Sequence, residues 1–93
     1  MISAAARPRL APKARLRFDR KSGRYLVLYP ERGLVLNPTA SDILQLCTGE
    51  HTVETIVDRL VAKYVMEPRE AVERQVAEFL AAMAERGLVR DGG

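Results

Sequence analysis

One cysteine and one histidine, Cys47 and His51, are the residues of this sequence best suited to nucleophilic or metal chemistry. Side chains four residues apart can share one face of a helix, but Gly49 lies between these two, at a position where a helix is expected to end. Zinc takes three or four protein ligands, so this pair alone cannot hold it. We predict that Cys47 is a buried core thiol and that His51 faces solvent in a turn.

The acidic residues fit the polar faces of amphipathic helices better than a catalytic pair. They recur beside arginines at helical spacing, as Glu70 does with Arg74, which is typical of a solvated helix face. The turn glycines stand singly, so the sequence offers no glycine-rich loop that could bind phosphate. We therefore predict that the protein is not an enzyme and has no catalytic residues, metal or cofactor.

Charge is divided unevenly along the chain. Residues 1–32 carry nine Lys and Arg against two acidic residues, a net charge of +7, while residues 33–93 carry six against ten, a net charge of −4. The basic half and an isoelectric point of about 9.4 leave a winged-helix nucleic-acid-binding protein as the alternative function. The last helix carries more Glu than Arg and would repel phosphates, so we expect no nucleic-acid partner.

A sheet of three strands is the first element that could position binding residues. Residues 15–19, "RLRFD", alternate apolar and charged side chains, as a half-buried strand does. Residues 25–29 are all apolar or aromatic, which indicates a central strand at least partly covered on both faces. Residues 34–36 form a third strand after a turn at residues 30–33. Short connections favour an antiparallel meander with the second strand in the middle.

Three helices follow these strands in the sequence. The first begins with either Asn37 or Thr39 as its cap, and the second with Thr52, because these residue types cap helix starts. The third has Pro68 at its start and Gly87 past its end. Its predicted core stripe is Val72, Val76, Phe79, Leu80 and Met83. The order predicts an α+β fold, a three-stranded antiparallel β meander followed by three α-helices, which is also winged helix-turn-helix-like.

The first residues differ in composition from the rest of the chain. They combine small residues with two prolines and show no period, so we predict a flexible N-terminal arm at residues 1–14 and one domain at residues 15–90. The sequence shows no secretory signal and no apolar run of about 18 residues. We expect a cytoplasmic protein with no membrane partner.

The third strand lies at an edge of the predicted sheet and carries no charge. Soluble proteins normally protect such an edge, and an open edge beside an amphipathic helix can accept an extended peptide as an added strand, which is called β-augmentation. The alternative is that Leu34 and Leu36 face the core, Val35 is a lone apolar surface residue and the strand is too short to be harmful. An open edge can also bind a second copy, so either a monomer or a homodimer is expected.

Two adjoining stretches carry a resemblance to a known family. The run "RFDRKSGRYLVLYPERGLVLN", joined directly to "PTASDILQLCTGEHTVETIV", resembles the PqqD family, the small peptide chaperones of pyrroloquinoline quinone (PQQ) biosynthesis. The resemblance covers nearly the whole chain, from Arg7 to about Val89. It implies a non-catalytic recognition domain with a winged helix-turn-helix fold.

The resemblance also implies partners. Members of this family bind the leader region of a ribosomally made precursor peptide, PqqA, and bring it to a radical S-adenosylmethionine (SAM) enzyme, PqqE, which cross-links a Glu and a Tyr within the peptide. We therefore expect a peptide chaperone whose partners are PqqA and PqqE.

The resemblance implies, in addition, where the leader binds. It is expected to add as a strand beside the third strand and to lie against the third helix. The helix residues follow from the helical period, as the stripe next to the core-facing one. The expected peptide-binding residues are Leu34, Val35, Leu36 and Asn37 from the strand and Ala71, Arg74, Gln75, Glu78, Phe79 and Ala82 from the helix.

Overall fold

The computed structural model describes residues 3–30 and 32–92. The first two residues of the predicted arm and Glu31 of the predicted second turn lie outside the described residues. The elements in chain order are β1 (Pro8–Leu10), β2 (Arg15–Asp19), β3 (Arg24–Tyr29), β4 (Arg32–Val35), α1 (Pro38–Gln45), α2 (Val53–Lys63), α3 (Arg69–Glu85) and β5 (Val89–Asp91).

The central sheet is the predicted antiparallel meander, with the strand order β2-β3-β4. Leu16, Val27 and Leu34 lie opposite one another across the three strands, and all three pack into the core. Val27 on the middle strand is fully buried, because α1 contacts β3 on this face. The prediction of an α+β fold with a three-stranded meander followed by three helices is confirmed, while the winged helix-turn-helix description stays a prediction.

The helix starts and stops follow local side-chain chemistry. Thr52 caps α2, because its hydroxyl accepts a hydrogen bond from the Thr55 amide at 3.1 Å. At the end of α3 the chain passes through Gly87 with φ +73°, a conformation that favours glycine. The Leu88 amide then donates to the Met83 carbonyl at 2.9 Å, which folds the chain back and buries Leu88. This confirms the predicted helix end.

The N-terminal segment differs from the predicted flexible arm at residues 1–14. Residues 8–10 form β1, which pairs antiparallel with β5 at the other end of the chain. The Ala11 amide donates to the Leu88 carbonyl at 2.8 Å, and the side chains of Ala6, Pro8 and Ala14 are buried. Small residues without a period suggested an arm, but small side chains also allow a segment to pack closely. The compact unit therefore includes residues on the N-terminal side of position 15.

Cys47 and His51 take different environments between α1 and α2. Cys47 is buried, as predicted, and its thiol donates to the Ile43 carbonyl at 3.3 Å. Burial raises the pKa of the Cys47 thiol to about 12. His51 lies in the turn before α2 but is half-buried, so it is less exposed than predicted.

The buried thiol is expected to be inert in the folded protein. A thiolate is the reactive form, and the folded thiol stays protonated up to a pKa of about 12. At about pH 8, iodoacetamide should label Cys47 in protein unfolded by urea, because there the thiol ionises near its ordinary pKa. It should not label Cys47 in the folded protein. Between the pKa of the unfolded thiol and that of the folded thiol, the unfolded state binds fewer protons than the folded state. A rising pH in this range therefore lowers the free energy of unfolding. Rapid labelling of the native protein, measured by mass spectrometry, would contradict this burial.

Candidate functional site

The described side chains form no cluster suited to metal chemistry. Within residues 3–30 and 32–92, no three His, Cys, Asp or Glu side chains converge as metal ligands. The described helices also lack any segment long and apolar enough to span a bilayer. Surfaces that could bind another chain are the remaining candidates for a functional site.

β4 forms one edge of the central sheet. The Leu36 amide donates to the Tyr25 carbonyl at 3.0 Å, and main-chain hydrogen bonds alternate along an antiparallel pair. With the observed register, Leu34 is therefore bonded to Val27, whereas the amides and carbonyls of Gly33 and Val35 point away from β3. Among the described residues, no other backbone hydrogen bond reaches those two residues. The edge is open for a further strand.

The side chains of β4 and the residues that follow it alternate between the core and the surface. Leu36 is buried and Leu34 is half-buried, as the alternative interpretation of this strand expected. Val35 is 56% exposed but not alone, because Leu26 lies opposite it on β3. Inward-facing leucines and an open main-chain edge therefore occur together in one strand, and the two interpretations are compatible.

A groove lies between the chain that leaves β4 and the middle of α3. Its volume is about 380 Å³. Phe79 and Ile43 supply an apolar floor, and both belong to or pack against the hydrophobic core. The lining residues are Asn37, Thr39, Ala40, Ile43, Gln75, Glu78 and Phe79. An apolar floor with a few polar side chains at its sides is the composition typical of a ligand-binding groove.

The groove brings together four of the ten predicted site residues, namely Asn37, Gln75, Glu78 and Phe79. The other strand residues have the placements described above: Leu34 and Leu36 face inward and Val35 faces outward. The remaining helix residues, Ala71, Arg74 and Ala82, lie on α3 outside the lining. Residues 71, 75, 78 and 82 share one face of a helix, so Ala71 and Ala82 extend the same face beyond each end of the groove. Their roles stay predictions.

Sequence reasoning missed the part of the groove that α1 contributes. Thr39, Ala40 and Ile43 line it from the first turns of this helix, and their place depends on the angle between α1 and α3. Gly33 was also missed, because its outward-pointing main chain follows from the pairing of β4 with β3, which the alternation of side chains does not specify.

Asn37 joins the edge strand to the groove and starts α1. Its side-chain oxygen accepts a hydrogen bond from the Ala40 amide at 2.8 Å, and Pro38 occupies the first helical position. Asn37→Ala removes this cap and should lower the free energy of unfolding by about 0.5–2 kcal/mol. Asn37→Ser keeps a capping oxygen and should remain close to the original stability. Equal melting temperatures for all three proteins would show that the cap is unimportant.

Comparison with known proteins places this geometry in a family. The family described as "Coenzyme PQQ synthesis protein D (PqqD)" matches residues 24–89, which include β3, β4 and all three helices. A "PqqA binding protein" from Rhodopseudomonas palustris is 38% identical over 90 residues, covering 97% of this chain and 87% of that protein. A "PqqA binding protein" from Methylococcus capsulatus is 38% identical over 82 residues, covering 88% of this chain and 85% of that protein.

A solved structure agrees with these sequence matches. It is the solution NMR structure of the PqqD part of Methylobacterium extorquens PqqCD, described as a functional, stand-alone recognition element for ribosomally synthesized and post-translationally modified peptides. It superposes with a TM-score of 0.81 at 30% sequence identity and covers 97% of this chain and 95% of that one. This chain belongs to the PqqD family of coenzyme PQQ synthesis proteins.

Proposed function

We propose that this protein binds the leader region of the PqqA precursor peptide by β-augmentation at β4 and presents it to the radical SAM enzyme PqqE. The observation that carries the proposal is the open main-chain edge at Gly33 and Val35 beside the groove on α3. Relatives of this chain are PqqA binding proteins, which supports the choice of peptide.

The geometry supports different roles for the main chain and the side chains in binding the leader. A leader strand pairing with β4 would exchange hydrogen bonds with Gly33 and Val35, which supply affinity without regard to peptide sequence. Alternate leader side chains would point toward the groove, where Phe79 offers an apolar contact and Glu78 a negative charge. These contacts would select the sequence of the leader.

Presentation to the enzyme is the second part of the proposal. The protein would hold the leader while the segment to be cross-linked stays free to enter the active site of PqqE. Binding both partners converts an encounter between peptide and enzyme into an event within one complex, which raises the effective concentration of the peptide at the active site. On this account the chain contributes binding energy and no catalytic group.

Reconstitution of the cross-linking reaction tests the proposed function. PqqA and PqqE are combined with S-adenosylmethionine and a reductant, with and without this protein, and cross-linked peptide is followed by mass spectrometry. The proposal predicts that product forms readily only when the protein is present. A PqqA variant without its leader should lose that dependence, and equal yields with and without the protein for the intact peptide would contradict the proposal.

A further inference from the structure

The central sheet has a second face that no described helix covers. Side chains alternate along a strand, so Leu26 and Leu28 of β3 point away from the core, as Val35 does on β4. The register places Arg17, Leu26 and Val35 in one row across the sheet. Arg15, Leu28 and Gly33 form the neighbouring row. We call these two rows the outer face.

The centre of the outer face is apolar and continues to the open edge. Leu26 and Leu28 are half-buried, and Val35 is 56% exposed. A Cβ atom built on Gly33 would lie 3.2 Å from Leu28 Cδ2, so the Leu28 side chain reaches across Gly33 toward the edge. A shallow cavity of about 410 Å³ lies on the other side of the two leucines, against the β2–β3 turn. The described part of the chain therefore leaves this apolar surface partly exposed.

The rim of the outer face is strongly basic. Arg15 and Arg17 project from β2, and Arg20, Lys21 and Arg24 surround the β2–β3 turn; all five side chains are exposed. No ion pair between described residues involves any of these five. Asp19 is the acidic residue nearest to them in sequence, and it already accepts hydrogen bonds from the Ser22 hydroxyl and the Lys21 amide. The Ser22 hydrogen bond lowers the pKa of Asp19, so this carboxylate stays ionised within its own turn.

We propose that the outer face is the docking site for an acidic, apolar-centred surface of the enzyme that modifies the bound peptide. A partially apolar centre with a charged rim is the general arrangement of protein–protein interfaces. The net positive rim selects a partner of opposite charge and speeds its approach. The assignment of this partner rests on the proposed function.

Peptide binding and enzyme docking would meet at β4. A leader strand added beside Val35 would continue the sheet, and every second leader side chain would join the outer face. The enzyme would then contact the protein and part of the bound leader at one surface. This arrangement predicts that the enzyme binds the protein more tightly when the leader is present.

The same observations disfavour two other occupants of the outer face. A symmetric dimer through this face would bring the two basic rims toward each other, because a two-fold interface uses the same patch on both copies. Nucleic acid suits the charge, but the two rows hold aliphatic side chains. Phe18, the aromatic residue that lines the cavity beside them, packs edge-on against Tyr25 with ring centroids 5.1 Å apart, so the face presents no row of aromatic rings on which successive bases could stack. An acidic protein surface satisfies both the charge and the apolar centre.

The experiment uses the full chain with paired charge reversals. Arg15→Glu with Arg17→Glu alters the outer face, and Arg86→Glu with Arg90→Glu makes the same change in net charge at the opposite end of the chain sequence. Each protein is titrated with a synthetic leader peptide, and then with PqqE in the presence and absence of that peptide. Circular dichroism confirms the fold, and the pair Arg15→Gln with Arg17→Gln repeats the test without adding negative charge to the sheet.

The outer-face reversal should weaken PqqE binding at least tenfold, with leader affinity unchanged within about twofold, while the control pair leaves both affinities close to the original. The glutamine pair should give a smaller loss in the same direction. Unchanged PqqE binding, or an equal loss in the control pair, would overturn the docking site. Leader binding is measured separately from PqqE binding. If the original protein does not bind the leader, the proposed function is contradicted, and the PqqE titration done without peptide then tests the docking site. The assignment would also be overturned if the original protein bound duplex DNA, or had a dimeric mass, and only the outer-face variants lost that property.

Discussion

Replacement of Val35 by proline should weaken leader binding at least about tenfold without unfolding the protein. The Val35 amide points away from β3, so proline removes a donor that the sheet does not use. Proline is tolerated at such outward positions of edge strands. A leader strand would lose one main-chain hydrogen bond, worth about 0.5–1.5 kcal/mol, and would also clash with the proline ring. A loss of about 1.4 kcal/mol corresponds to a factor of ten in affinity.

Val35→Thr is the matched control for this substitution. Threonine keeps the amide and the β-branched shape of the side chain, so leader affinity should stay close to that of the original protein. Isothermal titration with a synthetic leader peptide measures both variants, and thermal melting checks that each is folded. Equal affinity of a folded Val35→Pro variant would show that the leader does not pair with this edge.

Removal of residues 1–14 should abolish cooperative folding. Beyond the pairing of β1 with β5, six backbone hydrogen bonds join residues 4–11 to residues 47–92 in the described structure. Each is worth about 0.5–1.5 kcal/mol, and the deletion also exposes core surface that Ala6, Pro8 and Ala14 cover. The total stability of a small domain is only about 5–15 kcal/mol. A chain of residues 15–93 should therefore show no sharp thermal transition.

A pair of proline substitutions tests the same segment in the full-length protein. Ala11→Pro removes the amide that bonds to Leu88, and should lower the melting temperature by several degrees or more. Ala4→Pro places proline second in the turn that the Ala6 amide closes on the Ser3 carbonyl, a position where proline is favoured. This control should change stability little. A shortened chain that melts like the full-length protein would show that the segment is dispensable for stability.

The elements with a clear period could be predicted from the sequence. The helical stripe of α3 correctly predicted the buried residues Val72, Val76, Leu80 and Met83. The alternation of residues 15–19 placed Leu16 against the core, but Phe18 is 48% exposed. The apolar run of residues 25–29 marked the central strand, yet its Leu26 and Leu28 lie outside the core and are half-buried. β1 and β5 could not be predicted in this way, because each has three residues and pairs with a partner at the far end of the chain. Three residues carry too little periodicity to distinguish a strand from an irregular segment.

The candidate site was predictable in its location and less so in its detail. The order of three strands was enough to place β4 at an edge, and the helical period placed Gln75, Glu78 and Phe79 on one side of α3. The contribution of Ile43 and its neighbours on α1 depends on how helices pack in three dimensions, which local pattern does not encode. The basic character of residues 15–24 was also evident in the sequence. That these residues surround an apolar face of the sheet follows only from the observed register of the strands.

Amide hydrogen exchange measured by NMR tests β-augmentation at β4 most directly. The amides of Leu34 and Leu36 point into the sheet and should be protected in the free protein, whereas those of Gly33 and Val35 point outward and should exchange quickly. Saturating leader peptide should protect Gly33 and Val35, and the amides of the groove residues on α3 should shift. If the peptide binds and these two amides still exchange as fast as before, the leader does not bind as a strand on β4, and the central claim is contradicted.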